Sequence, residues 1–153
     1  MKLRRGFILL LALCLMCGVM ALSASAKTVA SGDCGDNGST AKWTLDSDGV
    51  LTISGNGKLT KRIQDKELAI PDENIKKLVV EEGITALPAS AFESMKGLKT
   101  VVLADSITTI GANAFGSCYK LATVYYDGTA AEWAAIVIGE NNEKLTGAQI
   151  IFN

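Results

Sequence analysis

The chain contains no histidine among its 153 residues. This excludes Ser-His-Asp and Cys-His catalysis and removes the commonest side chain for metal binding. Its 16 acidic residues could still supply the carboxylate pair of a glycoside hydrolase, but such a pair must face one cleft. They are scattered over the predicted loops and caps, and no spacing pairs them. We therefore predict a protein that is not an enzyme, with no catalytic, cofactor-binding or metal-binding residues.

Two short polar segments resemble binding loops. Asp46–Gly49 resembles part of a calcium loop, but a full loop needs more oxygen ligands and a closing bidentate Glu. Gly55–Gly57 resembles a phosphate cradle, but no helix start with Lys and Ser or Thr follows in phase. Asp, Asn and Gly are turn formers. We interpret both segments as turns.

Residues 1–26 have the organisation of a secretory signal peptide. A basic start, an apolar stretch and an A-x-A cleavage site follow one another at Lys2–Arg5, Phe7–Leu22 and Ala24–Ala26. The alternative is a membrane anchor, but a spanning helix needs about 20 apolar residues and this stretch is shorter. Lipidation at Cys14 or Cys17 is disfavoured, because neither follows a small residue. We predict cleavage before Lys27 and a secreted or cell-surface protein without stable membrane insertion.

The charge of the exported part excludes two classes of partner. The leader holds three of the 15 basic residues and none of the 16 acidic ones, so the exported part has a net charge of −4. Nucleic acids and anionic membrane surfaces are bound through Lys and Arg patches. We therefore expect neither partner.

Two of the four cysteines remain after cleavage. Cys118 aligns with Met95 in the repeat described below, so we expect it to be a buried, inert thiol. Cys34 lies among Gly, Asp and Asn, so we expect it to be exposed, either free or paired with another chain. Export permits a disulfide, but sequence does not show whether the two cysteines meet.

A 23-residue repeat organises the second half of the chain. Residues 75–97 and 98–120 align without a gap, and each unit holds a short strand in which alternate residues are apolar. A single such strand cannot bury its apolar face, whereas stacked neighbours form a continuous core. The matching apolar positions are Ile75/Leu98, Leu78/Val101, Val80/Leu103, Ile84/Ile107, Leu87/Ile110, Ala91/Ala114 and Phe92/Phe115.

Further copies of the repeat are partial. A third begins at Leu121 and keeps Val124 and Tyr126 in phase. A fourth copy is shifted by one residue. It is predicted to place Leu145, Ala148 and Ile150 at the positions equivalent to Leu121, Val124 and Tyr126.

The flanking segments are predicted to cap the array, since terminal repeats must be shielded from water. Upstream, Lys42–Leu45 and Val50–Ser54 are expected to form a β-hairpin, followed by a loop over Gly55–Glu73. Downstream, Thr129-x-x-Glu132 is a capping box for a helix from Ala130 to about Val137, with Trp133 and Ile136 or Val137 inward. A closing strand is expected at Ala148–Phe152. The predicted organisation is a signal peptide at 1–26, an N-terminal cap and loop at 27–74, and repeats with a C-terminal cap at 75–153.

Three stretches resemble the BspA-like leucine-rich repeats of bacterial surface proteins. They are ITTIGANAFGSCYKL, SGDCGDNGSTAKWTLDSDGVLTISGNG and LATVYYDGTAAEWAAI, and the resemblance covers nearly the whole exported part. It implies a mainly β fold with short helices, a short leucine-rich-repeat solenoid capped by an N-terminal β-hairpin and a C-terminal helix and strand. It also implies secretion or surface location and adhesion-type binding of an extracellular protein.

Strand alternation defines a candidate binding face. Side chains between the inward positions should form three rows on the exposed side of the sheet, and the middle row is mostly apolar or aromatic. One alternative is that the β-branched residues occur in this row only because they favour strand formation. The other is that a cap or loop covers the row. The rows are Lys77–Thr100–Thr123, Val79–Val102–Tyr125–Gln149 and Glu81–Ala104–Asp127–Ile151.

Two functions fit this pattern. One is a non-catalytic module that binds an extracellular protein or glycan. The other is a structural cell-envelope accessory, or a truncated remnant of a larger repeat protein with no ligand of its own. The oligomeric state stays open at this point.

Overall fold

The computed structural model describes residues 26–63 and 72–153. The predicted signal peptide, apart from Ala26, lies outside the described residues. Within the described ranges, no helix is long and apolar enough to cross a membrane. The strands in chain order are β1 (Thr28–Asp33), β2 (Lys42–Asp46), β3 (Val50–Ser54), β4 (Gly57–Lys58), β5 (Lys77–Val80), β6 (Ile84–Leu87), β7 (Thr100–Ala104), β8 (Thr109–Ile110), β9 (Thr123–Asp127), β10 (Val137–Ile138) and β11 (Gln149–Phe152), with helices α1 (Ala130–Ala135) and α2 (Glu143–Thr146) and a 3-10 turn at Asp72–Asn74.

Two sheets enclose one core. The larger has seven strands in the order β1-β2-β3-β5-β7-β9-β11, and the smaller has four in the order β10-β8-β6-β4. In the larger sheet Leu78 pairs with Val101 and Val101 with Val124, each 23 residues apart and each fully buried. The predicted period and the solenoid architecture are therefore confirmed.

The predicted N-terminal hairpin is confirmed and extended. β2 and β3 pair antiparallel, and the Asp46 carboxylate closes their turn by accepting from the main-chain N–H groups of Asp48 and Val50, each at 2.9 Å. Gly49 completes the turn at φ +80°, a conformation that side-chain-bearing residues rarely adopt. β1 adds an antiparallel strand that was not predicted. β3 also pairs in parallel with β5, so the cap continues directly into the repeat ladder.

The loop predicted for Gly55–Glu73 is partly wrong. β4 pairs in parallel with β6, and Leu59 and Ile63 are buried in the core. The main-chain N–H groups of Leu59 and Ile63 donate to Ala86 and Ala91 at 3.1 and 3.2 Å. Two apolar residues in a polar segment give no periodic signal. Both residues are buried because they follow β4, the first strand of the smaller sheet in chain order. The repeat alignment does not include this segment.

The C-terminal helix begins as predicted. Thr129 and Glu132 form a reciprocal capping box at the start of α1. Ile136 is buried, whereas Val137 is 67% exposed. Trp133 is partly buried against Tyr126, with the ring centroids 5.3 Å apart. The inward positions predicted for Trp133 and Ile136 are thus confirmed.

The predicted register of the last repeat is wrong. Ile150 pairs with Val124 and Phe152 with Tyr126, two residues later than the predicted partners Ala148 and Ile150. Thr123 pairs with Gln149, so paired residues of β9 and β11 are 26 positions apart in place of the predicted 24. The chain between them carries both α1 and α2, and these helices lengthen the unit.

Candidate binding face

The outer face is the side of the seven-stranded sheet that points away from the core. On β5, β7 and β9 the burial pattern alternates, so that Leu78, Val101 and Val124 are buried while the next residue along each strand is half-exposed. The strands are hydrogen-bonded to neighbours on both sides. The outer face is therefore a rigid surface with side chains at fixed spacing, as strand geometry requires.

The middle row on this face differs from the predicted one at its last member. Val79, Val102 and Tyr125 are paired in sequence across β5, β7 and β9, and Tyr125 pairs with Ile151 on β11. Ile151 thus replaces the predicted Gln149, because the last repeat advances by 26 residues and not by the predicted 24. The row is apolar or aromatic at all four positions, and each side chain is half-exposed.

The first row of the outer face contains Gln149, which was predicted in the middle row. Lys77, Thr100 and Thr123 pair in line as predicted, and Gln149 continues this row beside Thr123. These side chains are polar and half-exposed to exposed. The structure therefore brings all seven predicted residues to one face but assigns Gln149 to a different row.

The middle row also extends into the N-terminal cap. Thr52 pairs with Val79, Thr44 with Thr52, and Ser31 with Thr44. The outer face thus changes along the solenoid, from three hydroxyl side chains on β1 to β3 to four apolar or aromatic ones on β5 to β11. An apolar contact surface of this kind is confined to the repeat half of the sheet.

The third row is acidic and shorter than predicted. Ala104, expected to point outward, is only 7% exposed, and Ile151 belongs to the middle row. Glu81 and Asp127 remain exposed at the strand ends. Beside them the pKa of Glu82 is raised, first by a hydrogen bond with the Asp105 carboxyl and then by desolvation and the charges of Asp105 and Asp127. One margin of the outer face is therefore crowded with negative charge.

The cysteines do not form a reactive site in the described chain. Cys34, predicted to be exposed, is fully buried and free, because the chain folds back so that Thr60 donates its main-chain N–H to the Cys34 carbonyl at 2.9 Å. Burial and, to a lesser extent, the charge of Asp33 raise the pKa of the Cys34 thiol to about 11. Cys118 is buried as predicted, and its Sγ donates to the Phe92 carbonyl at 3.2 Å. Within residues 26–63 and 72–153, no group of three Cys, Asp or Glu residues could hold a metal ion.

Sequence reasoning missed Asn142, the one polar residue buried among those described. Its side-chain oxygen accepts from the Phe115 N–H at 2.9 Å, and its amide nitrogen donates to the carbonyls of Gly111 and Gly139 at 2.9 and 2.8 Å. These bonds connect the last repeat to the one before it. Asn142 has no counterpart in the aligned repeats, so periodicity could not reveal it, and its role is structural.

A comparison with protein families identifies the type of repeat. Residues 61–134 match the family model for the BspA type leucine rich repeat region, a model of six copies. No curated protein matches the chain.

Two solved structures are similar. A leucine-rich repeat protein from Eubacterium ventriosum ATCC 27560 is 28% identical with a TM-score of 0.54, over 72% of this chain and 28% of that one. A leucine rich cell surface protein from Faecalibacterium prausnitzii A2-165 is 20% identical with a TM-score of 0.42, over 84% of this chain and 31% of that one. The chain thus spans less than a third of the length of either protein.

Proposed function

The chain carries a bacterial leucine-rich repeat region of the BspA type, and from that premise we propose that it is a non-catalytic module whose outer face binds an extracellular protein. The observation that supports this most is the middle row Val79–Val102–Tyr125–Ile151. Four apolar or aromatic side chains stand in line, half-exposed, on a sheet that does not need to rearrange. Such a row with a polar rim is the composition of an interaction surface.

The chemistry of the face favours a protein over a glycan. A sugar is bound by stacking on exposed aromatic rings and by fixed polar groups, whereas the middle row has one ring, that of Tyr125. Tyr125 and its aliphatic neighbours suit an apolar side chain or a flat apolar patch of a partner. The acidic margin of Glu81, Glu82 and Asp127 suits a partner that places basic groups beside that patch.

We also propose that the protein is exported and acts at the cell surface or outside the cell. The predicted signal peptide supports export, and one similar solved protein is itself described as a cell surface protein. Intact-mass analysis of the protein in the culture medium and envelope fractions tests this. We expect a chain that begins at Lys27, and a product that retains Phe7–Leu22 in the membrane would contradict it.

The binding proposal is tested with a variant of the face and a matched control. Val102→Lys with Tyr125→Ala removes the centre of the middle row, while Val137→Lys places the same charge on an exposed valine of the smaller sheet. A partner is captured with the parent from extracellular and envelope extracts, purified, and titrated against all three proteins. Circular dichroism checks that each is folded.

We expect the double variant to bind at least about tenfold more weakly, since truncating a central anchor of an interface costs about 2 kcal/mol or more and about 1.4 kcal/mol is tenfold. Val137→Lys should bind as the parent does. Equal affinity of the double variant and the parent would exclude the outer face. Failure to capture any partner would favour the alternative, a structural envelope component without a ligand.

A further inference from the structure

The chain contains two Asn-Gly dipeptides, Asn37–Gly38 and Asn56–Gly57, and the structure holds them in different ways. In such a dipeptide the main-chain nitrogen of glycine can attack the side-chain amide carbon of asparagine, because glycine has no side chain to block the approach. The attack requires a glycine nitrogen that is free of hydrogen bonds and a peptide unit that can rotate. These two requirements distinguish the two dipeptides.

Asn37–Gly38 lies in an exposed turn between β1 and β2. Asn37 has φ +50° and Gly38 has φ +89°, and two positive angles in succession are typical of a type I′ turn, which favours Asn-Gly. The turn is closed by the Ser39 N–H, which donates to the Asp36 carbonyl at 3.0 Å.

The peptide unit that joins Asn37 to Gly38 is free. Among the residues that the structure describes, neither the Asn37 carbonyl nor the Gly38 N–H has a hydrogen-bond partner. A Cβ placed on Gly38 would meet no atom within 4 Å beyond its chain neighbours. The glycine nitrogen is therefore available for attack, and this peptide unit can rotate without displacing other parts of the protein.

Asn56–Gly57, in contrast, is held in place at the start of β4. The Gly57 N–H donates to the Gly83 carbonyl at 2.9 Å, so its nitrogen is occupied. The Asn56 carbonyl belongs to the same peptide unit and accepts from the Thr40 N–H, also at 2.9 Å. This unit can rotate only when both bonds are broken, which requires local opening of the fold.

We propose that Asn37 is a site of spontaneous covalent modification, at which the Gly38 nitrogen cyclises onto the asparagine side chain. The nitrogen gives its proton to water and bonds to Asn37 Cγ. The Cγ–Nδ2 bond breaks, and Nδ2 takes up a proton and leaves as ammonia. The product is a five-membered succinimide ring.

The ring is then opened by water, which adds to one of its two carbonyl carbons. Breaking the new bond between nitrogen and Cγ leaves an aspartate at this position. Breaking the original main-chain bond leaves an isoaspartate, in which the chain runs through Cβ and Cγ. No group is oxidised or reduced, and water is the co-reactant, so the change needs neither an enzyme nor a cofactor.

Either product changes the contacts of the turn. Asn37 Nδ2 donates to Asp36 Oδ1 at 3.1 Å, and after the reaction two carboxylates face each other in place of this bond. Isoaspartate also lengthens the main chain by one carbon. The Ser39 hydroxyl fastens the turn to β4 by donating to the Lys58 carbonyl at 2.8 Å. We expect the modification to loosen this attachment of the N-terminal cap, independently of any ligand for the outer face.

Incubation of the purified protein at mildly alkaline pH, followed by tryptic peptide mapping with mass spectrometry, tests the proposal. Trypsin separates the two dipeptides, since Asn37 falls in the peptide Thr28–Lys42 and Asn56 in Trp43–Lys58. We expect the first peptide to convert to two separable species with the mass of the acid. Its conversion should be at least about tenfold faster than that of the second, because a hydrogen-bonded segment reacts only from its opened state.

Two matched variants and an unfolded sample complete the test. Asn37→Gln would have to close a six-membered ring, which forms far more slowly, so its first peptide should stay unmodified. Asn56→Gln should convert at Asn37 as the parent does. In urea both dipeptides of the parent should convert at similar rates, because the structure that protects Asn56 is absent.

Three outcomes would overturn the proposal. The first is conversion at Asn37 that is no faster than at Asn56 in the folded protein. The second is an Asn37 that stays intact in the folded protein over a time in which the unfolded protein converts. The third is a difference between the two peptides that persists in urea, since it would then arise from the neighbouring sequence and not from the fold.

Discussion

Phe92 and Phe115 lie one repeat apart, with their ring centroids 5.4 Å apart and their planes inclined by 31°. Both are fully buried, and the main-chain N–H of Phe92 donates to Ala114 of the next repeat at 2.8 Å. Phe92 follows β6 and Phe115 follows β8, so this contact is separate from the pairing of β5 with β7 in the large sheet. Adjacent repeats are thus joined both through the large sheet and through this aromatic pair.

Phe115→Ala should destabilise the fold strongly. The substitution empties a buried site that contacts the ring of the preceding repeat, and such cavities typically cost about 3–5 kcal/mol. That is a large share of the stability of a small domain. Urea unfolding followed by circular dichroism measures the loss. Tyr119→Ala, at a side chain that is 74% exposed, is the control and should unfold near the parent midpoint. An unchanged midpoint for Phe115→Ala would mean that the repeats do not stack in this register.

Asn142→Ala should destabilise the C-terminal end of the solenoid. The variant leaves the Phe115 N–H without its acceptor and the Gly139 carbonyl without the amide donor, while the Gly111 carbonyl keeps the Ala114 N–H as a donor at 3.2 Å. Each buried group that loses its partner costs about 1–3 kcal/mol. Hydrogen exchange should show faster exchange of the Phe115 amide, with little change in the N-terminal hairpin. Glu140→Ala, at a nearby exposed side chain, should leave this amide protected, and equal exchange in both variants would contradict the role of Asn142.

Ser94→Gly should stabilise the protein. Ser94 and its counterpart Ser117 both have positive φ, 61° and 58°, in equivalent turns of adjacent repeats. A side-chain-bearing residue pays about 1 kcal/mol for this conformation relative to glycine, although glycine also gains freedom in the unfolded chain. We therefore expect a net gain below about 1 kcal/mol in urea unfolding. Ser31→Gly, in strand β1, should act in the opposite direction, and a loss of stability in Ser94→Gly would show that the turn does not need this conformation.

The sequence predicts most of the architecture because the repeats share one period. The alignment of Leu78 with Val101 determines the register of the sheet, and the Thr129–Glu132 box locates the helix start. The predictions failed where the period ends. Gln149 and Ile151 each lie one row away from the predicted position because the last unit is longer than predicted. Leu59 and Ile63 are core residues in a segment outside the alignment.

The burial of Cys34 was missed for a related reason. Its neighbours are polar turn residues, and its burial depends on a contact with Thr60, 26 residues later in the chain. Long-range contacts of this kind leave no local pattern. The same holds for the binding face, whose members could be predicted within the regular repeats but not at the irregular last one.

The acidic margin predicts a pH dependence. The raised pKa of Glu82 means that the folded protein holds a proton at this carboxyl more tightly than the unfolded chain does. Its contribution to stability is therefore fully present below the ordinary value of 4.5 and is lost as the pH rises through the folded-state pKa. At neutral pH the ionised group is repelled by Asp105 and Asp127, and a basic group of a partner would relieve this repulsion.

Glu82→Gln should accordingly be more stable than the parent at pH 7 and lose this advantage near pH 4. The gain should stay below about 1 kcal/mol, because the group is exposed and water screens the charges. Urea midpoints for the parent, Glu82→Gln and the neighbouring Glu81→Gln at both pH values measure the difference. Glu81→Gln removes the same charge one residue away and should gain less. If both variants gained equally at pH 7, the repulsion would be a general effect of net charge and not of the contact between Glu82 and Asp105.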